Sequence, residues 1–300
     1  MRIAAFASLG ERIMFFDPNI TTFLRDLLPW AGAFFSLVTE MGGEIFLVSV
    51  LLIAFWSYRK REAIVLTLII IVSVLTNYWL KYVIGNPRPP ASYWYGDLDA
   101  TNYSTPSGHA QNAGAMYSWL GAKVKTWWMI LVSIILIILI GISRVYLGVH
   151  FLDDVLLGWT IGITIGLVAF YYEPQISMFA SRLRTEYWYL LLFIIGIILL
   201  VIGSILPYPP GDNFGAYGGL TIGAAVAFPL ENRYVKFDLE VGMPRLIARV
   251  VIGLILVIGV MLGLHEVLPT AEIWLRTLRY FMVAFVGIFL WPLIFKRAGF

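Results

Sequence analysis

The chain has no cysteine and little charge. Without cysteine there is no disulfide framework and no thiolate metal site, and the redox compartment leaves no trace. Charged residues make up 13% of the 300 and hydrophobic residues 60%, where soluble domains carry about 25% and about 45–50%. A soluble fold of this length cannot cover its surface with so few charges. Disordered, collagen-like and low-complexity chains are excluded by the same numbers. The net charge of +3 is too small to mark a nucleic-acid binder. Histidine is scarce too: His109, His150 and His265 are the only three. What abounds is long apolar runs, with a mean hydropathy of +0.84. The reading is an all-α, polytopic integral membrane protein, because lipid offers an unpaired backbone no hydrogen-bond partner.

A helical span needs about 20 mostly apolar residues. Uncharged runs at 63–80, 126–143, 155–172, 187–211 and 213–230 meet this. Shorter runs at 45–58, 107–122, 250–264 and 280–295 bring the expected bundle to about nine transmembrane helices. Every second connection is basic: Arg59, Lys60 and Arg61; Lys123 and Lys125; Arg182 and Arg184; Arg233, Lys236 and Arg245; then Lys296 and Arg297. The positive-inside rule assigns these to the cytoplasm. The connections near 85–106, 144–151, 207–213 and 265–272 then face the other side, with the amino terminus outside and the carboxy terminus cytoplasmic. Residues 1–28 mix apolar stretches with Glu11, Arg12, Asp17 and Arg25, which suggests an interfacial amphipathic segment. The polar stretch from Glu173 to Glu186 is the best later boundary. Two triplets, Asn19-Ile-Thr21 and Asn102-Tyr-Ser104, fit the glycosylation pattern and fall outside in this topology.

The polar residues beside the spans collect on that outer side, and such residues are functional candidates by default. The second span ends with Lys81, then Gly85 and prolines that stop the helix, with Arg88 on a stiff extended segment. Interfacial anchoring explains Lys81 and Arg88 equally well. The third span opens Thr105-Pro106-Ser107-Gly108-His109. Ser107 suits an N-cap. The same helix start also offers free amides and a positive dipole end to a phosphate, with Gly108 permitting close approach. The fourth span ends Ser143-Arg144, and His150 and Asp154 follow four residues apart, one helical turn. An aspartate so placed fixes an imidazole tautomer, or simply favours the helix dipole. Tyr93, Trp94 and Tyr95 suit an interfacial anchor or a lid. Gly215, Gly219 and Gly223 recur every four residues, a spacing for close helix packing. His265 and Glu266 read as structural or interfacial, and Glu40 and Glu44 suggest no role.

Together these segments resemble the type 2 phosphatidic acid phosphatase superfamily. Its pattern of Lys, six residues, Arg-Pro is matched by Lys81 to Arg88-Pro89. Pro-Ser-Gly-His is matched by Pro106 to His109. Ser-Arg, five residues, His, three residues, Asp is matched by Ser143-Arg144, His150 and Asp154. The likeness covers roughly residues 40–172, and the spacing selects Asp154 over Asp153. It implies a catalytic core at 29–185, after the segment 1–28, with accessory transmembrane helices at 186–300.

What the resemblance implies is metal-independent hydrolysis of a lipid phosphate or diphosphate at the extracytoplasmic interface, through a phosphohistidine. His150 is the implied nucleophile, oriented by Asp154, with His109 as the acid and then the base. Lys81, Arg88, Ser107, Gly108 and Arg144 are the implied phosphate ligands. No cofactor or nucleic acid is expected; the partners are a phosphorylated lipid and the bilayer. Polyprenyl diphosphate, phosphatidic acid, phosphatidylglycerol phosphate and sphingoid phosphates all suit this site. A phosphotransferase using the same phosphohistidine, or a transporter of phosphorylated substrates, are the alternatives.

Overall fold

A computed structural model describes residues 17–96, 102–205, 214–268 and 272–299. Among these residues every regular element is helical. In chain order they are α1 (Asn19–Leu27), α2 (Gly32–Glu40), α3 (Glu44–Ser57), α4 (Lys60–Ile84), α5 (Gly108–Val124), α6 (Trp127–Tyr146) and α7 (Leu152–Ala180). There follow α8 (Thr185–Ile205), α9 (Phe214–Leu230), α10 (Met243–Val267), α11 (Ile273–Phe285) and α12 (Trp291–Ala298). Residues 1–16 of the expected amino-terminal segment, and the connection 207–213, lie outside the described residues.

Six helices among the described residues are long and apolar enough to span a bilayer, with Ile273–Ala298 taken as one, and a seventh arises if the bent pair α2 and α3 counts. This is fewer than the nine or so expected. The difference lies in α5 and α9, which have 17 residues each. Both sit at the lower end of the roughly 17–25 residues a span uses. Both are wrapped by other helices: most of α5 and of α9 is buried.

The chain divides into two compact units, residues 1–47 with 66–174, and 48–65 with 175–300. In the first, α5 is the central helix. Small residues let its neighbours close in. A Cβ on Gly158, Gly162 or Gly166 of α7 would stand 2.7, 2.0 or 2.4 Å from the carbonyl oxygens of Ser107, Gln111 and Ala115. This stripe lays α7 along α5, and the Ser107 amide donates to the Asp154 carbonyl at 2.9 Å. Gly162→Val should therefore force α7 off α5 and reduce activity below about 1% of wild type, while Gly259→Val, whose Cβ has open space, should leave it unchanged. Phosphate-release assays on the two purified variants check this.

The described part of the amino-terminal segment, α1, docks on the end of α6. Thr21 Oγ1 donates to the Val145 carbonyl at 2.8 Å, and Arg25 Nε to that of Tyr146 at 2.9 Å. Tyr146 OH returns a bond to the Leu28 carbonyl at 2.9 Å. Ala31, Phe35, Tyr146, Leu147 and Val149 form a buried cluster beside it.

In the second unit α9 is the central helix. Cβ atoms on Gly215, Gly219 and Gly223 would lie 2.8, 2.2 and 2.7 Å from carbonyl oxygens of α11, which is the close packing their spacing announced. At one end, buried Arg249 lies over the Phe295 ring at 4.1 Å and donates to the carbonyls of Trp56 and Asp238. Lys60 pairs with Glu231 at 2.7 Å over the face of Phe237.

Candidate active site

Ser73, Asn77 and Lys81 stand four apart on α4 and so share one face. Lys81 is buried, and its ammonium donates to the carbonyls of Tyr103 and Ser104. Those two bonds leave one of its three N–H groups to spare. The helix ends at Ile84, and Gly85 turns the chain with φ of +65°. Arg88 follows on extended backbone. Its Nε donates to the Asn102 carbonyl at 2.7 Å, its Nη2 to Asn102 Oδ1, and its Nη1 to the Val149 carbonyl at 2.8 Å. Asn102 therefore serves the arginine, and its side chain is engaged rather than presented to solvent.

At the start of α5 the cap reading of Ser107 lacks its hydrogen bond. The residue is extended, as a cap residue is, but its side chain makes no cap hydrogen bond. Its Oγ is buried without a partner, and so is Arg144 Nε. Buried polar atoms are nearly always paired, and an unpaired one costs about 1–3 kcal/mol. An anion that accepted from both would remove that cost. The Pro106 carbonyl is held by Asn77 Nδ2 at 3.2 Å, Asn77 also donates to Gln111 Oε1 at 2.9 Å, and Gln111 donates to the Ser73 carbonyl at 2.7 Å. Asn77 Oδ1 lies 3.2 Å from where a Cβ on Gly108 would stand. The polar face of α4 thus fixes the turn that carries Ser107, Gly108 and half-buried His109.

His150 sits between α6 and α7, 2% exposed, with its Nδ1 3.3 Å from Asp154 Oδ2. The Asp154 carboxylate also accepts from Ser104 Oγ, Thr105 Oγ1 and, at 2.9 Å, the Phe151 amide. Arg88 Nη1 approaches His150 Nε2 at 3.0 Å. Arginine has no lone pair to offer, so this contact requires the lone pair on Nε2. The proton then lies on Nδ1, facing the carboxylate. Burial holds the imidazole well below its ordinary pKa, and Arg88, Lys81, Arg144 and His109 push it the same way. His150 is thus a neutral imidazole with its free nitrogen toward a cation. Asp153 is partly exposed and outside this set.

All eight motif residues thus meet in the first unit. His109 feels the charges of Arg144, Arg88 and Lys81, and Lys81 those of Arg88, Asp154 and Arg144. His265 belongs to the second unit, where its Nδ1 accepts from Arg279 at 2.8 Å. Tyr93 and Tyr95 are tied down, the first by Arg25 on its carbonyl at 2.6 Å and the second by its amide on the Leu147 carbonyl at 3.0 Å. No group of three or more His, Asp or Glu suited to a metal ion occurs among the described residues.

Residues 62–178 match the PAP2 superfamily, and residues 215–300 match the PAP2 superfamily phosphatase transmembrane extension. The chain belongs to the PAP2 superfamily. It is a multi-pass membrane phosphatase of that superfamily, and every motif residue from Lys81 to Asp154 falls in the first PAP2 match. This PAP2 protein is 29% identical to phosphatidylglycerophosphatase B of Bacillus subtilis (strain 168) over 168 residues, 51% of this chain and 81% of that one. It is 26% identical to dolichyldiphosphatase of Saccharomyces cerevisiae over 218 residues, 68% of this chain and 87% of that one. Undecaprenyl-diphosphatase of Sulfolobus acidocaldarius shares 33% over 112 residues, 35% of this chain and 53% of that one. Among solved structures, a transmembrane PAP2 type phosphatidylglycerolphosphate phosphatase from Bacillus subtilis matches with a TM-score of 0.45 and 25% identity, covering 53% of this chain and 85% of that one.

Several polar residues of the PAP2 site were not anticipated from the sequence: Ser104 and Thr105 on the carboxylate, Asn77, Ser73 and Gln111 behind the Ser107 turn, and Thr39, which accepts from Arg144 Nη1 at 2.7 Å. A signal existed for Ser73 and Asn77, which extend the face of Lys81 by two helical turns inside an apolar span.

Proposed function

We propose that this PAP2 protein hydrolyses the phosphate or diphosphate of a membrane lipid at the extracytoplasmic face through a phosphohistidine, without a metal. Residues 29–185 would form the catalytic core, with 186–300 as accessory helices and the carboxy terminus in the cytoplasm. The observation that carries the reading is the Arg88 contact on His150 Nε2, with Nδ1 on Asp154.

A phosphoryl group carries spread negative charge, and its transfer rests on in-line placement and charge stabilisation. Arg88 would turn from Nε2 to the incoming oxygens, leaving Nε2 in line with phosphorus. Lys81, Arg144, Ser107 Oγ and the Gly108 amide complete the donor set. Nε2 attacks phosphorus, the P–O bond to the leaving group breaks, and His109 delivers a proton to the departing oxygen. His109 then takes a proton from water as that water attacks phosphorus. The P–N bond breaks, inorganic phosphate leaves and His150 is restored. Asp154 stabilises the positive ring throughout. The cations already supply the charge a divalent ion would bring, and they would repel one.

The relatives named as acting on phosphatidylglycerophosphate, dolichyl diphosphate and undecaprenyl diphosphate support a lipid substrate. A detergent assay across polyprenyl, glycerolipid and sphingoid phosphates tests this. At least one should release inorganic phosphate with no added acceptor, resist chelator, be inhibited by orthovanadate and fail with His109→Ala. Release that stops with chelator, or turnover that passes the phosphoryl group only to an added alcohol, overturns the hydrolase reading.

A further inference from the structure

The PAP2 match begins at residue 62, yet two contacts at the site come from upstream of it. Thr39, in the last turn of α2 and 4% exposed, accepts the 2.7 Å bond from Arg144 Nη1. Three residues later, at the break between α2 and α3, Gly42 lies against His109. A Cβ there would stand 3.2 Å from both the Cβ and the carbonyl oxygen of His109, and 2.8 Å from Ile140 Cγ2. One contact is a side-chain hydrogen bond and the other is packing, so they are independent observations. The position of Thr39 is also fixed from its own helix. Phe35, one turn earlier, packs its ring on that of Tyr146 at 4.7 Å, and Tyr146 lies two residues past Arg144. Glu40, next to Thr39, attracts the same guanidinium.

A guanidinium is a planar fork at the end of a flexible stem. It grips a phosphoryl group with two nitrogens only if its rotation is fixed beforehand, and groups behind it must do the fixing. In Arg144 the buried Nε has no partner, while Nη1 is taken by Thr39. The hydroxyl thus secures one corner of the fork and leaves another edge to an anion.

We infer that Thr39 is a positioning residue that sets the Arg144 guanidinium for the phosphoryl group, making α2 and the break that follows it, ahead of the PAP2 match, part of the active site. The inference rests on Arg144 being a phosphate ligand, as proposed above. Thr39 itself touches no reacting atom.

Thr39→Val keeps the shape and removes the hydroxyl; Thr39→Ser keeps the hydroxyl; Thr39→Ala removes both hydroxyl and methyl. Each is purified beside wild type, and its kcat, KM, orthovanadate Ki and thermal midpoint are measured. Thr39→Val should raise KM and the vanadate Ki by about tenfold, the effect of one hydrogen bond to a charged group, while Thr39→Ser stays within about twofold of wild type. Should the valine variant not fold, Thr39→Ala against Thr39→Ser makes the same comparison. A valine variant with wild-type KM and Ki, or a serine variant as impaired as valine or alanine, overturns the inference. Failure of the underlying reading looks different, because wild type itself would then lack vanadate-sensitive phosphate release.

Discussion

His150→Gln is expected to fold normally and lose phosphate release by at least about 10⁴-fold, the scale seen when a nucleophile is removed from a catalytic unit. Glutamine is close in size and polar, so Arg88 and Asp154 keep hydrogen-bonding partners in a site that is almost fully enclosed. What it cannot do is form a bond to phosphorus. Because the phosphate ligands remain, orthovanadate should still bind the variant, and a ligand-dependent rise in thermal midpoint would register it. A variant that turns over within tenfold of wild type excludes His150 as nucleophile.

Asp154→Asn should be the second largest effect, a fall in kcat of about 10³-fold with KM changed only a few-fold. The geometry says why the loss is one of charge. Asp154 Oδ2 accepts from Ser104, the Phe151 amide and the imidazole, whereas Oδ1 accepts from Thr105. An asparagine can keep its oxygen on the crowded side and turn its amide toward the Thr105 hydroxyl, which also accepts. The Nδ1 proton therefore keeps its place. The ring becomes cationic as Nε2 bonds phosphorus, and only a carboxylate stabilises that cation in a buried site. The two residues act as a unit, so the double variant should be no slower than His150→Gln alone. A double variant whose losses multiply would mean that Asp154 has a separate role.

Much of the site was readable before any coordinates, because motif spacing is a local property. His150 and Asp154 are four positions apart, near enough to meet although His150 precedes α7 rather than sharing its first turn, and Gly85 with the prolines at 87, 89 and 90 ends the helix of Lys81 wherever it packs. The residues left unread act across elements. Ser104 and Thr105 precede the Ser107 turn and look like ordinary loop hydroxyls until Asp154 is brought against them from fifty positions away. Thr39 is one polar residue in an apolar stretch, and only the docking of α2 on α6 gives it a guanidinium. The triplet Asn102-Tyr-Ser104 shows the converse. It satisfies the glycosylation pattern, yet its asparagine holds Arg88 and its serine holds Asp154. Gly158, Gly162 and Gly166 form a contact stripe as regular as that of Gly215, Gly219 and Gly223. The expected count of about nine is reached when the bent pair α2 and α3 and the 17-residue α5 and α9 are taken with the six longer helices.

The most direct test of a phosphohistidine is to catch it. His109→Ala lacks the group proposed to activate water, and the aryl oxide of an aryl phosphate leaves without needing a proton. With a ³²P-labelled aryl phosphate, quenched in alkaline detergent, this variant should accumulate label on His150 as an adduct stable to base and lost in acid, and the His109→Ala/His150→Gln protein should carry none. Aryl alcohol release that continues with no labelled protein, or label on any other residue, would contradict the account.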